Sequence, residues 1–230
     1  MEDISYEKWA AYLCSFFEKG KKSRIFEIGC GTGSLSIALK KMGHDVIASD
    51  ISHDMLEIAS QKARKAGLKI PFIYQDARCI EINKKADVVI AACDVLNYIG
   101  KDNLLNLLLN IRTILEDDGR FIFDISSEHK LLNTIGDNTF FEDDEDCTYI
   151  WNNEHRDDKI IMDLILFIKE GSKYIKHEEQ HVQYIYRQRE LIKKLEENGF
   201  SVQSYAFLSE KEANENTQRI QFVCKKRELI

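Results

Sequence analysis

Between Arg24 and Gly43 the chain reads RIFEIGCGTGSLSIALKKMG, and three of the chain's 11 glycines fall there within five residues, at Gly29, Gly31 and Gly33. Glycine loses more backbone freedom on ordering than any other residue, so the cluster marks a steric or conformational demand. A glycine-rich turn between a strand and a helix lets bare main chain approach a nucleotide beside the helix N-terminus. It also serves as a tight turn with no ligand. The spacing departs from the dinucleotide fingerprint G-x-G-x-x-G, because Ser34 stands where the last glycine belongs. Glu27, two residues ahead of Gly29, would repel a pyrophosphate and suits a group that carries positive charge.

Three further acids each follow an apolar stretch. Asp50 closes the apolar stretch DVIAS, where a carboxylate can accept hydrogen bonds from both ribose hydroxyls. Alone it fits a nicotinamide nucleotide equally well. Asp76-Ala77 follows IPFIYQ, and Asp94-Val95-Leu96-Asn97-Tyr98 follows ADVVIAAC.

The elements that must hold these groups are legible in the periodicity. Trp9, Leu13, Phe16 and Phe17 recur at helical spacing, which predicts a helix over 5–19. RIFEI reads as a strand, 34–42 as a helix stopped by Gly43, and DVIAS as a second strand. Ser52 is the expected N-cap of a helix that Gly67 ends. IPFIYQ and ADVVIAAC read as a third and fourth strand. Asp102 is expected to cap a leucine-rich helix, DDG to turn the chain, and RFIFDI to form a fifth strand. Strands alternating with helices imply a parallel sheet whose ligands bind at the carboxyl ends of the strands, where all four clusters lie. The rhythm then changes to long β-rich runs, CTYIWNNEH, KIIMDLILFIKE and YIKHEEQHVQYIY, separated by RDD and EGS as in antiparallel hairpins. A helix over 188–198 and two terminal strands complete the chain. The acidic run FEDDEDC reads as a solvated loop.

The pattern E-x-G-x-G-x-G with acids after the second, third and fourth strands resembles the class I S-adenosylmethionine-dependent methyltransferases. The subgroup it most resembles comprises small stand-alone bacterial enzymes with a β-rich lid. There YEKWAAYL, YIWN, EEQHVQYIY and the ending RIQFVCKK have counterparts. The resemblance implies a Rossmann-like, seven-stranded, mostly parallel α/β sheet with helices on both faces. The core is expected over 1–126 and 188–230, with an antiparallel β lid over 127–187. It implies S-adenosyl-L-methionine as cofactor, held by Glu27, Gly29, Cys30, Gly31 and Gly33 in the loop. Asp50, Ile51 and Met55 follow at the second strand and its helix, then Asp76 and Ala77, then Asp94, Val95 and Tyr98. Tyr6, on the N-terminal segment, is expected to cover the cofactor. Cys30 and Cys93 read as small side chains, not nucleophiles.

The lid supplies the candidates for the methyl acceptor. On a strand, Glu179, His181 and Gln183 share one face. His181 is the candidate base, since an imidazole takes a proton near neutral pH. Glu179 and Gln183, with Asn97 and the aromatic pair Tyr149 and Trp151, are the candidate substrate contacts. A solvated face and a small lid core are the other readings of these residues.

Composition narrows the partners. The net charge of −7 speaks against general polyanion binding, so a small-molecule acceptor is expected ahead of an RNA such as tRNA. A nicotinamide-dependent oxidoreductase and a cofactor-binding module without catalysis are the alternatives from other classes. The six cysteines include no C-x-x-C pair and the start carries no signal-peptide pattern, so reduced thiols in the cytoplasm are expected, with no metal site. No apolar run is long enough for a membrane span.

Overall fold

The computed structural model describes residues 5–227; the outermost residues of the expected core, 1–4 and 228–230, lie outside them. In chain order the first half forms α1 (Tyr6–Cys14), β1 (Arg24–Ile28), α2 (Ser34–Lys41), β2 (Asp45–Asp50), α3 (His53–Lys65), β3 (Phe72–Tyr74), β4 (Ala86–Ala91), α4 (Lys101–Ile114) and β5 (Leu115–Ser126). These strands and two later ones, β10 (Phe200–Ala206) and β11 (Arg219–Lys226), build one sheet in the order β10-β11-β5-β4-β1-β2-β3. β1 to β5 run parallel, whereas β11 is antiparallel to both β5 and β10.

Both faces of the central strands are buried, and the side-chain alternation sorts two cores. Ile25, Val88, Ile90 and Ile122 pack with Trp9 and Leu13 of α1 and with Leu35 and Leu39 of α2. Phe26, Val89, Phe121 and Phe123 pack with Leu107 and Ile111 of α4 and with Leu191 and Leu195 of α6 (Gln188–Glu197). The sheet therefore carries helices on both faces, as the sequence led us to expect.

Between β5 and α6 the chain leaves this sheet. A short helix α5 (Glu128–Lys130), continued by a π-type turn Leu131–Ile135, leads into β6 (Thr139–Asp143), β7 (Cys147–Arg156), β8 (Lys159–Glu170) and β9 (Lys173–Tyr184). These four form a separate antiparallel sheet in sequential order. It has its own small core of Leu131, Ile135, Ile160, Met162 and Ile185, with Trp151 against it.

Four local expectations need correction. The acidic run is not a loop throughout: Phe141 to Asp143 continue a strand that pairs with β7, where the preceding Phe140 packs on Trp151. Gly100, not Asp102, occupies the N-cap position of α4, and Asp102 lies in its first turn. IPFIYQ contributes only three residues of strand. The helix at Glu128 to Ile135 was not anticipated, since its apolar residues are too few for a clear period.

Candidate active site

The switch point of the sheet lies where β1 separates β4 from β2. The glycine loop follows β1 there, with Gly29, Gly31 and Gly33 at φ of 66°, 51° and 72°. That left-handed region is closed to most side chains, so the local backbone needs glycine. A Cβ on Gly29 would come within 2.5 Å of Val95, and one on Gly33 within 2.9 Å of Ala59. Gly29 and Gly33 are thus packing positions, whereas a Cβ on Gly31 would meet nothing within 4 Å. Asp50 fastens the loop to the end of β2. Its carboxylate accepts the Gly31 N–H at 2.7 Å and the Ser52 N–H at 3.0 Å. Ser52 in turn caps α3 by accepting the Met55 N–H.

Glu27 is 2% exposed on β1, hydrogen-bonded by the Ser36 hydroxyl. Burial pushes its carboxyl up to about 7, against the pull of Ser36, and the nearby Asp50 adds to the rise. A carboxyl held there is costly to ionise unless a cation stands in front of it.

Asp76 lies beyond β3 and is clamped by Arg78, whose Nε sits 2.9 Å from both carboxylate oxygens. This pairing holds the Asp76 carboxyl below the usual range. Arg78 had not been singled out from the sequence.

Past β4, Cys93 and Asp94 both take positive φ, 63° and 51°. Asp124 at the end of β5 holds that turn: its carboxylate accepts the Cys93 N–H at 2.8 Å and the Asp94 N–H at 3.1 Å. Arg219 lies 3.3 Å from Asp124 and 3.7 Å from Asp94. Burial raises the Asp124 carboxyl to about 6 even so, with Arg219 opposing the shift. An acid closing RFIFDI was a visible signal for Asp124; Arg219, almost a hundred residues on, gave none.

One cavity of about 780 Å³ joins these pieces. Of the sequence-derived residues, Glu27, Gly29, Cys30 and Gly31 line it from the loop, and Asp50, Ile51 and Met55 from β2 and α3. Asp76, Ala77, Val95 and Tyr98 close the middle, while Tyr6 and His181 stand at the α1 and insert sides. Ile51, Met55 and Tyr98 are 59%, 42% and 47% exposed, apolar surface turned to an open space. Trp9, Cys93 and Tyr184 also line the cavity. Trp9 had been read as core, and its indole N–H has no hydrogen-bond partner among the described residues although the side chain is 1% exposed.

Other expected residues stand apart from the cavity lining. Gly33, at the N-cap position of α2, packs against Ala59 of α3 and Phe72 of β3. Asp94 is turned toward Arg219 and accepts from the Ser126 hydroxyl at 2.7 Å and from Gln183 at 3.4 Å. Asn97, expected to touch substrate, is fully buried and spends its amide on main chain: Nδ2 donates to the Ser126 and Tyr184 carbonyls, and Oδ1 accepts the Ser126 N–H. It ties the insert to the main sheet. Trp151 packs on Phe140 at 5.2 Å within the insert, Tyr149 lies against Glu142, and neither is among the residues that line the cavity. Glu179 reaches the site through His181, whose Nε2 lies 3.1 Å from its carboxylate. The His181 ring meets Tyr98 edge-on with centroids 6.2 Å apart.

Comparisons with known proteins bear on this geometry. A model of the methyltransferase domain matches residues 25–119. YqeM of Bacillus subtilis (strain 168), provisionally named a methyltransferase, is 31% identical over 236 residues, spanning 100% of this chain and 94% of its own length. The crystal structure of an S-adenosylmethionine-dependent methyltransferase from Clostridium acetobutylicum ATCC 824 matches with a TM-score of 0.90 at 30% identity, over 99% of this chain and 94% of that one. The ubiquinone biosynthesis O-methyltransferase of Rickettsia akari (strain Hartford) is 28% identical over 115 residues, 50% of this chain and 45% of its own.

Proposed function

Since the chain belongs to the class I S-adenosylmethionine-dependent methyltransferases, we propose that it transfers the methyl group to an oxygen or nitrogen of a small molecule held beneath the β insert. The observation that carries this reading is the continuity of one cavity. It runs from the Gly31–Asp50 loop to Tyr98, His181 and Tyr184, so cofactor and acceptor would share a space that the insert roofs. Its volume of about 780 Å³ lies within the range of small-molecule sites.

The residues present fit the cofactor. Trp9 and Gln75, both residues of the cavity wall, each carry a buried polar atom, Nε1 and Oε1, that lacks a partner among the described residues. Glu27 is a buried acid that gains from a cation nearby. Asp50 would take the ribose hydroxyls, because each of its oxygens keeps a lone pair beyond its amide partner. Asp76 and Ala77 would face the adenine beside Ile51. The cofactor supplies a methyl group on a sulfonium, already a good leaving group. The protein then has to align the acceptor and exclude water, and orientation of that kind supplies up to ~7–11 kcal/mol. His181, on the cavity wall, would accept the acceptor's proton. Glu179, 3.1 Å from its Nε2, would orient the ring and balance the imidazolium. Tyr98, edge-on to that ring, would form the opposing wall.

The experiment is a transfer assay with labelled methyl groups on a metabolite extract and, in parallel, on total tRNA. Label in a small-molecule fraction supports the reading. Label in tRNA alone would replace the acceptor class while leaving the chemistry in place.

A further inference from the structure

Outside the cavity, the fold gathers two sulfurs and an imidazole at the ends of α1 and α2. Cys14 closes α1, and its Sγ lies 4.0 Å from the Sδ of Met42, the C-cap residue of α2. Two donors on one metal, each at a bond of ~2.3 Å, stand roughly 3.8–4 Å apart at tetrahedral to trigonal angles. The sulfur pair has that spacing. Met42 is 47% exposed, so its side chain is not spent on the core, and Cys14 is half-buried. Separations of 28 and 30 residues along the chain hid Met42 and His44 from a reading of Cys14 by spacing.

His44 completes the group. Its Nδ1 accepts the Ser23 N–H at 3.2 Å, and burial keeps the ring below its usual range and hence neutral. The ring proton therefore sits on Nε2, 3.4 Å from the Cys14 Sγ, where it can support a thiolate without itself being a ligand. Burial pushes the Cys14 thiol up to about 11, so the sulfur keeps its proton until a cation displaces it. Thiolate and thioether are soft donors that select copper(I) over magnesium or calcium. Among the described residues, no three His, Cys, Asp or Glu side chains are grouped to hold a metal ion.

We propose that Cys14 and Met42 bind a soft monovalent cation, copper(I), as a thiolate–thioether pair supported by the His44 Nε2–H, tying α1 to the end of α2. The Cys14 S–H bond breaks, its proton passes to solvent and the S–Cu bond forms, with no change of oxidation state.

The test is an anaerobic titration of copper(I) in competition with a chromophoric chelator, with proton release followed in parallel. The wild type should take up a single equivalent tightly and release a single proton, and Cys14→Ser should lose that site. Met42→Leu keeps the thiol and should weaken the site by no less than the ~10- to 100-fold that an outer partner of a metal site is worth. Cys79→Ser removes an exposed cysteine elsewhere and should leave the site intact. Wild-type affinity in Met42→Leu would mean binding by a bare thiol and would overturn the proposal, as would loss of the site in Cys79→Ser. A second readout needs no variant to fold. The chain has four methionines, and the Met42 methyl resonance should shift when copper(I) is added to the wild type. A methyl that stays in place while copper(I) binds would overturn the proposal as well.

Discussion

The Asp124 carboxylate accepts the main-chain N–H of Cys93 at 2.8 Å, holding a residue whose φ is 63°. The next residue, Asp94, is held the same way at a φ of 51°. Two successive side-chain-bearing residues in the left-handed region cost of order 1–3 kcal/mol each, and they persist only where the surroundings over-determine them. Asp124 does so, with Arg219 behind it. The strained turn carries Cys93 to the cavity wall.

Asp124→Asn should therefore loosen the turn. An asparagine has one oxygen to offer where two N–H groups ask for one each, and its NH₂ would face the other donor. Urea titration should show a loss of about 1–3 kcal/mol, and calorimetry weaker S-adenosylhomocysteine binding. Adding Cys93→Gly, which removes the penalty of positive φ, should restore part of both. No restoration would mean that the turn is not under strain.

Glu27 makes stability depend on pH. Its carboxyl is raised from 4.5 to about 7 in the folded chain, chiefly by burial, so the folded state holds a proton that the unfolded state releases. For an acid shifted upward, this favours folding at low pH, and the advantage is lost as pH climbs from about 5 to above 7. The loss is on the order of 3 kcal/mol, and Asp124, raised to about 6, adds to it with the same sign. Glu27→Gln should flatten much of that slope and stabilise the ligand-free protein at pH 8, while weakening cofactor binding. Urea curves at pH 5.5 and pH 8 decide it; an unchanged slope would remove Glu27 as the source.

The glycine loop separates packing from ligand space. Gly29→Ala should cost more stability than Gly31→Ala, since only the former Cβ meets Val95, at 2.5 Å. Both pay roughly 1–2 kcal/mol for positive φ. Gly31→Ala should lose cofactor affinity out of proportion to its stability, because its Cβ faces open space along the cavity. Melting curves with and without S-adenosylhomocysteine read both effects.

His181→Gln should lower turnover on an acceptor recovered from the labelling screen, with S-adenosylhomocysteine affinity nearly intact. Glu179→Gln should do the same more weakly, as its carboxylate acts through the ring 3.1 Å away. Wild-type turnover in His181→Gln would exclude it as the base.

Much of this was legible in the order of the residues. The loop from Glu27 to Gly33, Asp50 with its cap at Ser52, and the change of rhythm at Cys147 are local patterns that propensity and period express. Contacts formed across the chain were not legible. Trp9 carries the apolar spacing of a core helix, and only the fold shows that the residue also lines the cavity. Asn97 follows a strand as a site residue would, yet two main-chain carbonyls from distant segments claim its amide. Tyr149 and Trp151 share a strand face, but neither lines the cavity, and Trp151 packs against the insert's own core.

The central claim is that a sulfonium nucleoside lies along the carboxyl ends of β1 and β2 with its ribose on Asp50. Calorimetric titration of S-adenosylhomocysteine into the wild type and Asp50→Ala tests it most directly. The account expects binding to the wild type and a loss of about 1–3 kcal/mol in the variant, roughly 5- to 150-fold. Equal affinity in the two proteins would contradict it.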